Sequence, residues 1–248
     1  MKLTDFRVLT FDCYGTLIDW ESGIHTALQP LLRKAGLTLS RDAVLETFAK
    51  HESAQEADTP DMVYSELLAT VHRRLAKQWQ TTASEQDQQL FGASVPHWPE
   101  FPDSAAALRY LKQHYKLVIL SNVDRESFKG SNKRLGVAFD AIYTAQDIGS
   151  YKPNPANFRY MLNHLAELGH AKADILHTAQ SLFHDHAPAT QFGLARAWID
   201  RRHDRVGWGA TMPPPATVEE RGARYDFRFT SMADMVTAHQ AELRKRGS

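Results

Sequence analysis

The stretch VLTFDCYGTL, residues 8–17, runs apolar, stops at Asp12, and turns at once through Tyr14, Gly15 and Thr16. A short apolar, β-branched run before a polar break reads as a buried strand. This strand ends on a carboxylate. In open parallel sheets ligands bind beyond the carboxyl ends of the strands, so a charged group there is a candidate for chemistry. Taken alone, an aspartate after a strand is more often a turn or cap residue. What surrounds it must decide.

Outward from this stretch the pattern repeats. RVLTF (7–11), KLVIL (116–120), DAIYTA (140–145) and DILHTA (174–179) each read as a strand. Helical patterns lie between them. SAAALRYLKQHY (104–115) follows Asp103, an expected N-cap. PANFRYMLNHLAELG (155–169) carries Pro155 near its start and Gly169 at its end. APATQFGLARAWI (187–199) runs from helix into strand, and DFRFTSMADMVTAHQAEL (226–243) from strand through a Ser cap into a closing helix. Such alternation implies an α/β fold with a doubly wound, Rossmann-like parallel sheet. Residues 20–97 break the rhythm: they are helix-rich and contain no clear strand. VPHWPEFPDS (95–104), with three prolines, marks a boundary. The expected layout is a core of residues 1–19 and 98–248 with a helical cap, 20–97, inserted after the first strand. GWGATMPPPATVEERGA (207–223) reads as a Gly- and Pro-rich loop.

Composition narrows the function classes. The chain has 248 residues, 43% of them hydrophobic, enough for a sizeable core without staples. Lys plus Arg balance Asp plus Glu at 29 each, which argues against a general nucleic-acid binder. The single cysteine, Cys13, excludes an internal disulfide and multi-cysteine zinc sites. The N-terminus lacks signal-peptide character and no apolar run reaches membrane-spanning length. The expectation is a cytoplasmic protein with a small-molecule substrate and neither nucleic-acid nor membrane partners.

Each strand end is followed by polar residues. Asp12 comes first, then Ser121 and Asn122, then a loop to Lys152, then Gln180, Ser181 and Asp185. Each has an ordinary reading: Ser121-Asn122 as a turn, Lys152 as a solvated charge, Asp185 as a cap for the helix near Ala187. The ordered set is what carries a functional reading. It resembles the haloacid dehalogenase superfamily, whose four motifs stand here as DCYGT, LSN, YKP and AQSLFHD. The resemblance covers roughly 7–20 and 100–230, and the insertion sits where that family carries a helical cap.

The resemblance implies that Asp12 is a nucleophile forming a covalent ester. Phosphatase members usually carry a second aspartate two residues later to protonate the leaving alkoxide. Here that position is Tyr14, a phenol with a pKa of roughly 10. Halide is a stable anion and needs no proton. Phosphatase members also bind Mg²⁺ with an acid at the start of the fourth motif, where this chain has the neutral Gln180. The closest resemblance is therefore to the metal-free (type II) 2-haloacid dehalogenases, which implies no cofactor and no metal. Carried over, Ser121 and the backbone N–H groups near Cys13 and Tyr14 would hold the substrate carboxylate. Asn122 would face the departing halide. Lys152 would offset and orient Asp12, Thr16 would support it by a hydrogen bond, and Asp185 would place or activate water. Members that look like this are often dimers, so a homodimer is expected.

Three positions depart from that pattern. The family's cap arginine has no equivalent near FAKHESAQEAD (48–58), which offers His51, Glu52 and Gln55; Arg41 reads as a surface charge at a helix start. The tyrosine six residues after the lysine is Phe158, and the fourth motif reads QSLFHD, with Phe183 and His184. His184 reads equally as a partner of Asp185 or as a polar residue at a helix entry. Trp20 reads as packing, and RRHDR (201–205) as a solvated loop. Two other functions stay open: a Mg²⁺-dependent small-molecule phosphomonoesterase with an unusual acid, and a catalytically silent binding module.

Overall fold

A computed structural model describes residues 1–213 and 225–246. Six parallel strands form one sheet in the order β3-β2-β1-β4-β5-β6. They are β1 (Val8–Phe11), β2 (Lys116–Ser121), β3 (Ala141–Thr144), β4 (Ile175–Ala179), β5 (Ala195–Ile199) and β6 (Phe227–Phe229). The first strand thus lies in the middle. The chain builds outward from it on one side through β2 and β3 and on the other through β4 to β6. The topological switch falls beside β1, where such sheets open a crevice. All four residues of β1 and all five of β4 are buried, as expected for strands covered on both faces.

Four helices fill the insertion: α1 (Trp20–Ala35), α2 (Arg41–Asp58), α3 (Tyr64–Gln78) and α4 (Glu85–Gly92). Their boundaries follow from side-chain caps. Asp19 accepts from Ser22 N, Ser40 from Ala43 N, and Ser84 with Asp87 closes a capping box. The core helices are α5 (Ser104–Leu111), α6 (Arg125–Leu135), α7 (Ala145–Ile148), α8 (Pro155–Glu167), α9 (Ala187–Gln191) and α10 (Met232–Arg246). Asn154 caps α8 and Pro155 opens it, while Ser231 Oγ accepts from Asp234 N at the start of α10.

Asp103 precedes α5 but does not cap it. Its carboxylate instead takes Arg201 Nη1 at 2.9 and 3.1 Å and Ala233 N at 3.0 Å. A charge-assisted pair outcompetes a neutral cap. RRHDR is likewise not simply a solvated loop. Arg201 reaches Thr16 O and lies over the Phe101 ring, while Arg202, 9% exposed, grips Glu21 of α1 and Asp42 of α2. These two arginines tie the segment after β5 to the first motif and to the insertion. The Gly- and Pro-rich loop expected over 207–223 lies partly outside the described residues. No helix among the described residues is long and apolar enough to cross a membrane.

Candidate active site

Asp12 directly follows β1. Its N–H donates to Thr178 O on β4 at 3.1 Å, which pins it at the seam between the two strands. Gly15 turns the chain at φ +90°, and a Cβ there would come within 3.0 Å of Trp20 Nε1. This tight turn returns Thr16 beneath the carboxylate. Thr16 Oγ1 donates to Asp12 Oδ2 at 2.8 Å and accepts from Gln180 N at 2.9 Å. The backbone beyond β4 thus fixes the hydroxyl that fixes the carboxylate.

Lys152 reaches the site from the loop after β3 and is 1% exposed. An ammonium has three donors, and all three are used: Asp12 Oδ1 at 3.0 Å, Leu120 O at 3.0 Å and Asp185 Oδ1 at 2.7 Å. No N–H of the Lys152 ammonium is left over for a ligand. Its work is to orient two carboxylates and offset their charge. Asp185 is fully buried in a π-helical turn, Leu182–His186. It does not cap the helix near Ala187.

His177 completes the cluster, and nothing in the four motifs points to it. It sits inside β4 with its Nε2 3.0 Å from Asp185 Oδ1 and its Nδ1 2.8 Å from Thr10 Oγ1. A carboxylate only accepts, so Nε2 carries a proton, and in the neutral ring Nδ1 accepts from Thr10. Thr10 and His177 are direct neighbours across the β1–β4 pairing. A polar residue in each of two fully buried apolar strands is the signal that the sequence offers. Asp185 Oδ2 remains without a partner.

Burial dominates the electrostatics. It raises the Asp12 carboxyl above its ordinary range despite Lys152, and Asp185 adds to the rise. At Asp185 burial is outweighed by Lys152 and by the hydrogen bond from His177, so its carboxyl is held below that range. Lys152 is raised: its two carboxylates overcome its desolvation. The result is one ammonium between two carboxylates with opposite shifts. Removing one partner from such a cluster typically costs ~3–5 kcal/mol.

The other expected residues divide. Ser121 ends β2, is 2% exposed, and its Oγ has no partner. The N–H groups of Asp12 and Gly15 are taken by Thr178 O and Ile18 O, whereas those of Cys13 and Tyr14 donate to no group among the described residues. The Cys13 side chain is buried in the core with its thiol pushed up by burial. Tyr14 turns its hydroxyl to Ser131 of α6 at 2.9 Å and sets its ring edge-on to Trp98. Burial raises that phenol further. Asn122 lines the pocket, but its amide does not stand free for a departing halide. Oδ1 accepts from Lys152 N, while Nδ2 donates to Lys152 O and to Glu56 Oε1. Phe158 lies buried on His177 and Phe192, away from the pocket.

The pocket over Asp12 encloses about 420 Å³ of empty space, part of it open to solvent. Core residues share its wall with Glu52 and Glu56 of α2, Tyr64 of α3 and Trp20 of α1. Arg41 does not line it. His184 does: its N–H and ring Nδ1 meet Ser181 Oγ, and its Nε2 faces Glu56 Oε2 at 3.8 Å. Burial pushes its imidazole down to about 4, so at neutral pH it carries no charge.

For a divalent cation, as phosphatase members of the superfamily use, the donor set at the strand ends is depleted. Lys152 Nζ occupies the position between Asp12 Oδ1 and Asp185 Oδ1, and Gln180, whose Oε1 accepts from Thr211, adds no charge. No group of three His, Cys, Asp or Glu residues that could hold a metal ion occurs among the described residues.

Fold and site together define a doubly wound α/β protein whose crevice is built around a strand-end aspartate. The family model for haloacid dehalogenase-like hydrolases matches residues 6–177, and the chain belongs to that family. The chain is similar to an L-2-haloacid dehalogenase crystal structure at 21% identity, TM-score 0.75, covering 96% of this chain and 99% of that one. It is similar to the L-2-haloacid dehalogenase from Xanthobacter autotrophicus at 18% identity, TM-score 0.72, covering 93% and 96%. A magnesium-bound HAD-type hydrolase from Bacillus subtilis matches at 17% identity, TM-score 0.72, covering 95% and 99%. At these identities the likeness shows the fold. Compared with curated proteins, the chain matches none.

Proposed function

We propose that the chain hydrolyses the carbon–halogen bond of a short 2-haloalkanoic acid, without a metal, through an ester on Asp12. One observation carries this reading. Asp12 is fixed by Lys152 and Thr16, and the residue two places on, Tyr14, commits its hydroxyl to Ser131. The nucleophile is prepared and its neighbour supplies no proton, which suits a group that leaves as a stable anion.

The reaction is written in two displacements. One Asp12 oxygen attacks C2 from the face opposite the halogen, the C–O bond forms as the C–X bond breaks, and halide departs. Ser121 Oγ and the N–H groups of Cys13 and Tyr14 receive the substrate carboxylate. Water then attacks the Asp12 carboxyl carbon and releases the 2-hydroxy acid. One water proton ends on the product hydroxyl and the other passes to solvent. Asp185 Oδ2, free while Oδ1 is held, accepts from that water and places it. Its lowered pKa makes it a poor base and a good anchor.

Halide release from 2-chloropropionate in the presence of a chelator tests the reading. In ¹⁸O water over many turnovers, mass spectrometry should find label in the Asp12 carboxylate, and Asp12→Asn should be inert. Turnover of a phosphomonoester that depends on Mg²⁺, with no halide released from any haloacid, overturns it.

A further inference from the structure

The pocket carries an excess of acid that dehalogenation of a simple haloacid does not use. Glu52 and Glu56 stand one helical turn apart on α2, are 4% and 8% exposed, and share the pocket wall with Asp12 and Asp185. Their partners are neutral: Tyr64 Oη donates to Glu52 Oε1 at 2.6 Å, and Asn122 Nδ2 donates to Glu56 Oε1 at 3.2 Å. Among the described residues no Lys or Arg pairs with either. Lys152 has spent its donors, and His184 is neutral. Burial without a counter-charge raises both carboxyls, Glu52 to about 8 and Glu56 well above its ordinary value, so with no cation beside them they hold their protons at neutral pH.

A second observation shows that the pocket expects a ligand. Ser121 Oγ and Asp185 Oδ2, 2% and 0% exposed by residue, line the same pocket and have no partner. The pocket therefore offers a donor region at Ser121 and the β1 turn, and on the cap two carboxyls that a cation would ionise. A simple haloacid fills only the first.

We propose that Glu52 and Glu56 bind a protonated amine of the substrate, so that the preferred substrate is a short 2-haloacid bearing an ammonium group. The ammonium supplies the missing cation and donates to the two carboxyl groups, which release their protons to solvent as it binds. The acid's own carboxylate takes Ser121 Oγ. This inference rests on the dehalogenase reading for its chemistry, while the binding preference can be measured apart from it.

The test compares 3-amino-2-chloropropanoate with 2-chlorobutanoate, near-isosteres that differ as ammonium and methyl. Calorimetric titration into the Asp12→Asn protein should show the ammonium compound bound at least about tenfold more tightly. Glu52→Gln with Glu56→Gln should abolish that preference, with folding checked by circular dichroism. Wild-type halide release, corrected for the enzyme-free rate, should follow the same order in kcat/KM. Equal or weaker binding of the ammonium compound overturns the proposal. So does a preference that survives both Gln substitutions. A binding preference with no halide released from either compound overturns the dehalogenase reading and upholds the cation site.

Discussion

Replacing Thr16 with valine changes the site at one atom. Thr16 is fully buried, and valine keeps its shape, so no cavity opens. Two hydrogen bonds vanish: the 2.8 Å bond to Asp12 Oδ2 and the 2.9 Å bond from Gln180 N. A bond to a charged group is worth ~1.5–3 kcal/mol, and a buried N–H left unpaired costs ~1–3 kcal/mol. Thr16→Val should therefore lower stability by about 3 kcal/mol or more at neutral pH. Urea unfolding followed by circular dichroism measures this. Thr16→Ser retains both bonds and loses one methylene's worth of burial, about 1 kcal/mol. The same hydroxyl lowers the Asp12 pKa, opposing its burial. Without it the pKa rises further. In the proposed reaction Asp12 must be ionised, so activity is lost as pH falls through that pKa, and the acid limb of the halide-release profile should move to higher pH in the valine variant only. A valine variant as stable as the serine variant, with an unmoved limb, refutes the chain of hydrogen bonds from Gln180 to Asp12.

Gly23→Ala sets two effects against each other on α1. Alanine favours a helix by about 1 kcal/mol, but its Cβ would lie 2.2 Å from a Trp98 ring atom. Overpacking against a buried ring costs ~1–3 kcal/mol, so thermal unfolding should show a lower Tm, and an unchanged or higher Tm sinks the packing argument. Glu52 governs a pH dependence. Burial raises its carboxyl from 4.5 to about 8, so between those values the folded state holds a proton that the unfolded state has lost. Its contribution is full below about pH 4.5 and is lost as pH rises towards 8, with a slope of ~1.4 kcal/mol for each step of one in pH. Glu52→Gln, which can still accept from Tyr64, should flatten that decline in urea unfolding at pH 5 against pH 8.5. Parallel wild-type and variant curves contradict it.

The core half of the site is legible because sequence order maps directly onto a parallel sheet. Every strand must end at the same edge, so the polar residues after successive apolar runs converge there whatever the helices do. Asp12, Lys152, Asp185 and Thr16 are brought together in this way. His177 is hidden by the same logic. It lies within an apolar run, and a strand is read by its apolar residues. Only its pairing with Thr10 across β1 and β4 marks it. Arg201 and Arg202 escape a sequence reading because a dense charge run looks solvated, and their partners, Asp103 and Glu21, are distant in sequence.

The cap half follows no such rule. Helix α2 is polar over much of its length, and its buried set includes Glu52, Gln55 and Glu56 beside Val44, Leu45 and Phe48. Periodicity finds a helix by its apolar stripe and cannot mark a stretch where the buried face is itself acidic. Yet this is one of the three places where the sequence departs from the 2-haloacid dehalogenase pattern it resembles. The core fixes Asp12 and its counter-charge in a closed circuit of Asp12, Lys152 and Asp185, which leaves no N–H of Lys152 for a substrate. The charge of the substrate is therefore selected by whatever the cap presents. With an arginine there, an anion would be welcomed; with two glutamates there, a cation is favoured. Reaction type and substrate charge thus reside on separate elements, the strand ends and α2, and exchanging residues on one need not disturb the other.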